Sequence, residues 1–234
     1  MGQPHVSIVH ALQAIEAFTG EDLGNKVHEL EWSVRGLNGA GCLAKAKEMR
    51  VTSDLLSAAY AVKRAAAQIN TLIHAVGGLM LLTKIIEEGE HVTEVSLGAG
   101  NTGKEFDLVT DRRVAEFKFI HWRGGTETMR KKALFKDFFR LAEAPTSKKR
   151  ELYLLGTSHA LKFLRSGTSL DSVMSKNVPL LAKFRERYGD KFATVGHYYE
   201  SKQHDVAVID ASPLLPELVR VVAVAEAAAD ESEE

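Results

Sequence analysis

The segment from Gly103 to Phe119 constrains the fold of this chain more than any other. It reads Gly-Lys-Glu-Phe-Asp-Leu-Val-Thr-Asp-Arg-Arg-Val-Ala-Glu-Phe-Lys-Phe, which predicts two β-strands joined by a tight polar turn, with Asp107 on the first strand. Side chains alternate between the faces of a strand, so Glu116 and Lys118 share one face. The hairpin brings Asp107 close to that face. Two carboxylates and a lysine on a half-buried face are costly to place there, and a divalent cation would supply a reason.

The composition allows a sizeable core but does not make the whole chain a nucleic-acid binder. The chain has 234 residues, of which 45% are hydrophobic, and a formal net charge of −1. This suits one large domain or a domain with an extension. The charge is uneven, because residues 104–150 contain 13 Lys/Arg and 7 Asp/Glu. The segment with the carboxylate hairpin is therefore also basic, although a solvated charged surface would account for the same run.

Several function classes can be set aside. Cys42 is the single cysteine, so one chain forms no disulfide framework and no cysteine-based zinc site, and we expect Cys42 to lie in a loop. The N-terminus lacks the basic and apolar pattern of a signal peptide. The most apolar stretch, residues 69–86, is interrupted by Asn, His, Gly and Lys residues, and we expect it to fall short of a membrane span. We therefore expect a cytoplasmic protein without a membrane partner.

Periodicity predicts helices first and a mixed sheet afterwards. The predicted helices cover residues 5–19, 25–35, 53–88 (capped by Ser53), 126–144, 159–165 and 170–188. The predicted strands cover residues 92–97, 105–110, 113–121, 151–155, 192–199 and 204–209. This order predicts an α/β or α+β fold with a mixed central sheet flanked by helices. The predicted organisation is a helical extension (1–52), a main domain (53–215) and an Ala/Glu-rich tail (216–234).

The charged hairpin and the elements around it resemble the PD-(D/E)XK nuclease superfamily, whose fold is called restriction-endonuclease-like. Phe106-Asp107 stands in the place of the Pro-Asp of the family, and Glu116-Phe117-Lys118 matches its Glu-x-Lys. The flanking order of helix, three strands, helix and strand also matches. The resemblance covers residues 55–157 and implies a metal-dependent nuclease, foremost a DNA endonuclease, that acts on nucleic acid and in many members forms a homodimer.

The resemblance also implies a role for each residue of the motif. Asp107, Glu116 and the backbone carbonyl of Phe117 would bind Mg²⁺ or Mn²⁺, which are hard cations that take oxygen ligands. Lys118 would hold the attacking water and stabilise the charge that develops on the phosphate. Asp107, Glu116 and Lys118 are therefore the expected catalytic residues. The competing interpretation is a cross-strand ion pair of Lys118 with Asp107 or Glu116.

Two further features bear on this resemblance. Many members place a glutamate on the helix before the first strand, whereas residues 68–86 of this chain contain no acid. His74, Gln68 or Glu94 could stand in for it, or the chain could be an inactive copy of the fold that serves in binding or assembly. Basic residues downstream could follow a phosphate backbone, with affinity but no sequence information. The expected nucleic-acid contacts are Arg123, Arg130, Lys131 and Lys132.

A glycine-rich loop offers a third interpretation. Residues 98–104 read Gly-Ala-Gly-Asn-Thr-Gly-Lys, which resembles a phosphate-binding loop for a nucleotide. Glu105 follows where a Ser or Thr would hold Mg²⁺, and the loop leads into a predicted strand and not into a helix. No helix N-terminus would receive the phosphate. We therefore expect a glycine-rich turn at this position.

Overall fold

The computed structural model describes residues 7–20, 22–98, 103–119, 122 and 128–219. The chain divides into two compact units, residues 1–70 and residues 71–234. The division falls within a long helix, whereas the sequence analysis places the end of the helical extension at residue 52.

The first unit is built from helices. They are α1 (Ile8–Thr19), α2 (Leu23–Ser33), α3 (Gly39–Glu48) and the first part of α4 (Ser53–Ile85). The loop predicted around Cys42 is wrong, because Cys42 lies within α3. The side chain of Asn38 accepts a hydrogen bond from the Gly41 N–H at 2.9 Å, which starts this helix in spite of its glycines. The capping role predicted for Ser53 belongs to Thr52, whose hydroxyl accepts the Leu55 N–H at 3.1 Å.

The second unit contains a five-stranded mixed sheet with strands in the order of the chain. The strands are β1 (Val92–Val95), β2 (Leu108–Thr110), β3 (Arg113–Lys118), β4 (Lys149–Leu154) and β5 (Ala207–Asp210). β1, β2 and β3 are antiparallel neighbours, with Leu108 opposite Ala115. β4 runs parallel to β3 and β5 runs parallel to β4. The predicted mixed sheet flanked by helices is confirmed at this level.

The helices of the second unit correct two predictions. They are α5 (Thr128–Ala142), α6 (Ser158–Leu164), α7 (Leu170–Met174), α8 (Val178–Tyr188) and α9 (Val195–Lys202). The helix predicted over 170–188 is divided, because Asn177 accepts the Leu180 N–H and starts α8. The strand predicted over 192–199 is wrong, since Thr194 caps α9 by accepting the His197 N–H.

Each face of the sheet is covered by an apolar layer. On one face, Val114 and Leu152 pack with Phe135 and Phe138 of α5. The other face presents Phe117 and other apolar side chains to the last part of α4, where Leu81 and Ile85 are buried. Residues of one β3 face therefore lie towards α5, and residues of the other lie towards α4.

Two adjacent glycines let α4 approach the sheet closely. A Cβ on Gly78 would lie 2.7 Å from the Leu97 side chain, and one on Gly77 would lie 3.2 Å from the Phe119 ring. The helix continues through both positions. Among the helices that the structure describes, α4 is the one that is long and apolar enough to cross a membrane by length and composition. This differs from the expectation for residues 69–86, although core helices of soluble proteins pass the same test.

A buried ion-pair network ties the start of β3 to its neighbours. Arg113, which is 3% exposed, donates to Glu90 at 2.7 Å through two nitrogens and to Glu151 at 3.0 Å. Its guanidinium also lies 2.9 Å from Glu87, on the segment that follows α4. Burial raises the pKa of Glu90, but the hydrogen bond from Arg113 and further hydrogen bonds outweigh burial and lower this pKa to about 2. This network fixes β3 at the end opposite to Lys118.

Candidate active site

Asp107 lies immediately before β2 and not on the strand predicted over 105–110, because the regular strand starts at Leu108. Its Oδ2 accepts the Phe117 N–H at 2.8 Å. This side-chain carboxylate takes the place of a backbone carbonyl as the acceptor. The backbone pairing of β2 with β3 begins at the next residue, Leu108, opposite Ala115. The backbone carbonyl of Asp107 accepts the Ser96 N–H at 2.8 Å. Asp107 is thus held between β1 and β3.

The structure brings the three residues of the predicted motif together. Glu116 and Lys118 lie on one face of β3, and the Lys118 Nζ is 3.8 Å from Glu116 Oε2. The Asp107 carboxylate lies close enough to Glu116 to raise the pKa of the Glu116 carboxyl group. Glu116 is 5% exposed, whereas 35% of the Lys118 side chain is exposed. The cluster therefore has a buried floor and is partly open to solvent along the Lys118 side chain.

Asp137 is a member of this cluster that the sequence analysis missed. It lies on α5, is 4% exposed, and its Oδ2 is 2.9 Å from the Lys118 Nζ. The sequence signal that could have revealed Asp137 is the position of an acid among the apolar residues of the amphipathic helix α5. Helical spacing predicts an apolar face of Met129, Ala133, Leu134, Phe138 and Leu141 for this helix, but Met129 is 70% exposed and Ala133 is exposed. The true face is shifted and includes Asp137.

His74 occupies the side of the cluster that α4 provides. Its Nε2 lies 3.4 Å from Asp107 Oδ2, and its ring packs on Phe119 with centroids 5.6 Å apart. Of the three residues considered for the missing helix acid, His74 is the one that touches the motif. Gln68 is exposed and belongs to the first compact unit. Glu94 lies opposite Val109 on β1.

The electrostatics of the cluster reflect three acids around one ammonium group. Burial raises the pKa of Glu116, and the charges of Asp137 and Asp107 raise it further, to about 9. Burial also raises the pKa of Asp107, but hydrogen bonds from His74 and the Phe117 N–H outweigh it, so this pKa is lowered. Burial lowers the pKa of Lys118, but Asp137 and Glu116 outweigh it and the pKa is raised. At neutral pH the cluster therefore holds a protonated Glu116 beside a charged Lys118.

The donor set fits a small divalent cation bound through few protein ligands. No group of three or more His, Cys, Asp and Glu side chains within residues 7–20, 22–98, 103–119 and 128–219 is arranged to hold a metal ion. Mg²⁺ does not require such a group, because it usually keeps several waters and binds through one or two carboxylates together with substrate phosphates. Asp107 and Glu116 supply two carboxylates, and a cation between them would favour the ionised form of Glu116.

Three of the four basic residues expected to contact nucleic acid lie within the described residues. Arg123 lies outside the described residues. Arg130, Lys131 and Lys132 are half-buried on the first turns of α5. The Lys132 Nζ donates to the Ser175 hydroxyl at 2.9 Å, so its amine also has a role between α5 and α7.

The glycine-rich loop lies partly outside the described residues, which omit 99–102. The Lys104 Nζ donates to the Val95 carbonyl at 2.6 Å and so holds the chain beside β1. Residues 105–107 form a bend that leads into β2 and not into a helix. The lysine that a nucleotide phosphate would need is therefore engaged with the backbone.

No protein-family model, curated protein or solved structure matches this chain. The function proposed for it therefore depends on the geometry of the site.

Proposed function

We propose that this chain is a metal-dependent nuclease that hydrolyses phosphodiester bonds, with DNA as substrate and endonucleolytic cleavage as the reaction. The observation that carries the proposal is the convergence of Asp107, Glu116 and Lys118 at the end of β3, where the Lys118 side chain is partly exposed. A raised carboxyl pKa next to an opposite charge in a partly open cluster is typical of a functional site.

The topology around the cluster supports the same proposal. A helix (α4), three antiparallel strands (β1–β3), a helix (α5) and a parallel strand (β4) follow one another in the chain. This is the order of the restriction-endonuclease-like core, which we propose as the fold. The acids of the motif then lie on and beside β3, the middle strand of the sheet, as that core would have them.

Each residue can be given a part in the reaction. Asp107 and Glu116 would hold Mg²⁺ or Mn²⁺, with the Phe117 carbonyl as a further ligand. The cation, when bound, supplies a more acidic water and offsets negative charge on the phosphate. Lys118 would orient the attacking water and stabilise the charge of the transition state. Asp137 keeps the ammonium group of Lys118 beside Glu116.

Cleavage of nucleic acid tests the proposal directly. The purified chain is incubated with supercoiled plasmid and with single-stranded DNA or RNA in Mg²⁺, Mn²⁺ or EDTA. We expect cleavage of DNA that needs the metal and that falls at least about 100-fold in Asp107→Ala and Lys118→Ala, since the first removes a ligand of the cation and the second removes a positive charge beside the reacting phosphate. Asp111→Ala, on the same hairpin, and Lys162→Ala, on α6, are matched controls that should cleave as the unaltered chain does. Cleavage that survives Asp107→Ala would refute the assignment.

A second function has one observation in its favour. His74 stands where an acid is expected, and a third side-chain ligand is missing among the described residues. A chain that kept the fold and lost the chemistry would bind nucleic acid without cutting it in either metal. Binding without cleavage would therefore support the binding or assembly module. A homodimer is part of the proposal only for cleavage of both strands of a duplex, which takes two sites.

A further inference from the structure

Asp107, one of the two carboxylates proposed to bind the cation, meets both of its donors at a single oxygen. Its Oδ2 accepts the Phe117 N–H at 2.8 Å and lies 3.4 Å from the His74 Nε2. Within the part of the chain that the structure describes, no hydrogen bond or ion pair is formed at the other oxygen, Oδ1. Both oxygens of a carboxylate carry lone pairs, so Oδ1 keeps its capacity to bind a cation.

The imidazole ring of His74 is held in place by the packing of α4 on the end of β3. The ring packs on Phe119, with centroids 5.6 Å apart. Gly77, about one turn further along α4, leaves the space that the Phe119 ring occupies, because a Cβ there would lie 3.2 Å from that ring. The His74 side chain is 19% exposed. The ring therefore meets Asp107 from a fixed direction, and little additional side-chain freedom is lost in the contact.

A carboxylate needs such support if one particular oxygen is to face a metal. The terminal torsion of an aspartate is broad and does not fix the plane of the carboxylate by itself. Groups that contact a metal ligand from outside orient it, and their loss typically lowers metal affinity or activity by about 10- to 100-fold. The Phe117 N–H and His74 reach Oδ2 from β3 and from α4, so together they restrict this rotation.

We propose that His74 is a positioning residue of the metal site, which holds Oδ2 of Asp107 and so turns Oδ1 towards the cation. This inference depends on the proposed function, because it takes Asp107 as a ligand of Mg²⁺ or Mn²⁺. His74 then contacts a ligand of the metal and not the metal itself. The helix before the first strand supplies a neutral or positive donor to the carboxylate in place of a further acid.

Calorimetric titration with Mg²⁺ in the absence of nucleic acid tests the proposal without any cleavage. The amide nitrogen of glutamine can reach the position of the His74 Nε2, whereas that of asparagine reaches only as far as Nδ1. We expect His74→Asn to weaken Mg²⁺ binding by about 10- to 100-fold and His74→Gln to keep most of the affinity. His197→Asn, at an exposed position of α9, is the control and should bind as the unaltered chain does. Unchanged affinity in His74→Asn would overturn the proposal.

The pair of variants also separates positioning from a role in packing alone. Both replace the ring by an amide, so we expect urea denaturation without metal to give them similar free energies of unfolding. The difference in Mg²⁺ affinity should remain. Equal losses of affinity in His74→Gln and His74→Asn would show that the ring acts through its packing, and this would contradict the proposal.

A second metal distinguishes positioning from direct coordination. Imidazole is a good ligand for Ni²⁺, whereas Mg²⁺ prefers oxygen ligands. A positioning residue affects both cations through Asp107, so we expect His74→Asn to weaken the binding of Mg²⁺ and Ni²⁺ to a similar extent. A loss confined to Ni²⁺ would make His74 a metal ligand and would refute the positioning role.

The positioning role and the proposed function can fail separately. A chain that binds Mg²⁺ with the expected dependence on His74, but cleaves no nucleic acid, would refute the nuclease and leave the positioning role in place. A chain that cleaves DNA, and whose His74→Asn variant binds Mg²⁺ as tightly as the unaltered chain, would refute the positioning role alone. If the unaltered chain binds neither Mg²⁺ nor Mn²⁺, both proposals are wrong.

Discussion

At the scale of single residues, Glu116 is a group of the candidate site whose pKa is raised far from its ordinary value. Its folded-state pKa of about 9 lies well above the ordinary value near 4.5. The folded protein therefore holds a proton that the unfolded chain releases between these two values. Stability from this group is complete below about pH 4.5 and is lost as the pH rises towards 9.

Glu116→Gln should remove this part of the pH dependence. Without metal, we expect the free energy of unfolding of the unaltered chain to fall by more than about 1.4 kcal/mol between pH 5 and pH 9, which corresponds to a single pKa unit. The variant keeps a neutral side chain at both pH values, so its fall should be smaller. Urea denaturation at the two pH values measures this. Glu200→Gln, at an exposed position of α9, is the control, and an unchanged fall in Glu116→Gln would contradict the raised pKa.

Asp137 should act through Lys118. Asp137→Asn removes the charge that holds the ammonium group at 2.9 Å, and we expect the turnover number of the proposed nuclease to fall by about 10- to 100-fold, as when a supporting group of a metal site is lost. The KM should change little, because Asp137 is buried. Asp137→Glu should recover part of the rate. Steady-state kinetics with a defined oligonucleotide separates the two constants, and an effect confined to KM would argue against a positioning role.

The residues of the site could be predicted only in part. Asp107, Glu116 and Lys118 are close in sequence, and the alternation of one hairpin relates them. Asp137 and His74 come from helices that pack on either side of the hairpin, and their approach depends on tertiary packing. For Asp137 the prediction placed the buried face of α5 at the wrong angle around the helix. A small rotation of that face moves Met129 and Ala133 to the solvent side and brings Asp137 to the buried side.

At the scale of elements, local patterns predicted most strands correctly. They failed at residues 192–199, where the apolar residues suit both a strand and a helix. The aromatic residues around 192–199 suit a strand by composition. Val195, Tyr198 and Tyr199 also recur at helical spacing, and all three are buried in α9. The Thr194 cap and the packing of these rings stabilise the helix over a strand. Most of residues 170–188 are helical as predicted, but the single helix is wrong, because the Asn177 cap starts α8 after a break at 175–177.

Gly196 in the first turn of α9 allows this helix to lie close to the backbone that follows α6. A Cβ at this position would lie 3.0 Å from the carbonyl oxygens of Arg165 and Ser166. Because both neighbours are backbone atoms, they cannot rotate away. We expect Gly196→Ala to lower the free energy of unfolding by about 1–3 kcal/mol, which is typical of overpacking.

Gly167 provides the matched control for this prediction. It lies in the adjacent loop, and a Cβ there would meet no atom within 4 Å. Gly167→Ala should be neutral or slightly stabilising, because alanine restricts the unfolded chain. Thermal denaturation of the two variants compares them. Equal melting temperatures for both would show that the backbone at 165–166 yields to the added methyl group.

At the scale of the whole second unit, β3 joins two charged clusters at its opposite ends. Arg113 at its start holds Glu87, Glu90 and Glu151. Removing one partner of a buried charge network leaves the others uncompensated. We expect Arg113→Met to lower the free energy of unfolding by about 3–5 kcal/mol. Arg185→Met, which breaks an exposed pair with Asp171, should cost far less, because exposed ion pairs contribute little to stability. Urea denaturation of both variants at one pH tests the contrast, and similar losses would contradict it.

The two clusters should also lower the stability of the protein at opposite ends of the pH range. Glu90 has a depressed pKa of about 2, so its contribution is present above the ordinary value near 4.5 and is lost as the pH falls towards 2. Glu116 has the opposite dependence. Without metal, we expect the melting temperature to be highest near pH 5 and to fall on both sides. A melting temperature that rises steadily from pH 5 to pH 9 would contradict this.

The hydrogen bond from the Phe117 N–H to Asp107 has a practical consequence. It connects the carboxylate proposed to hold the cation to a main-chain amide near the end of β3. The proton of that amide is therefore a built-in reporter in nuclear magnetic resonance spectra, since its chemical shift depends on the charge of its acceptor. A titration with Mg²⁺ that moves the Phe117 resonance would reveal occupancy of the site in solution, without any substrate.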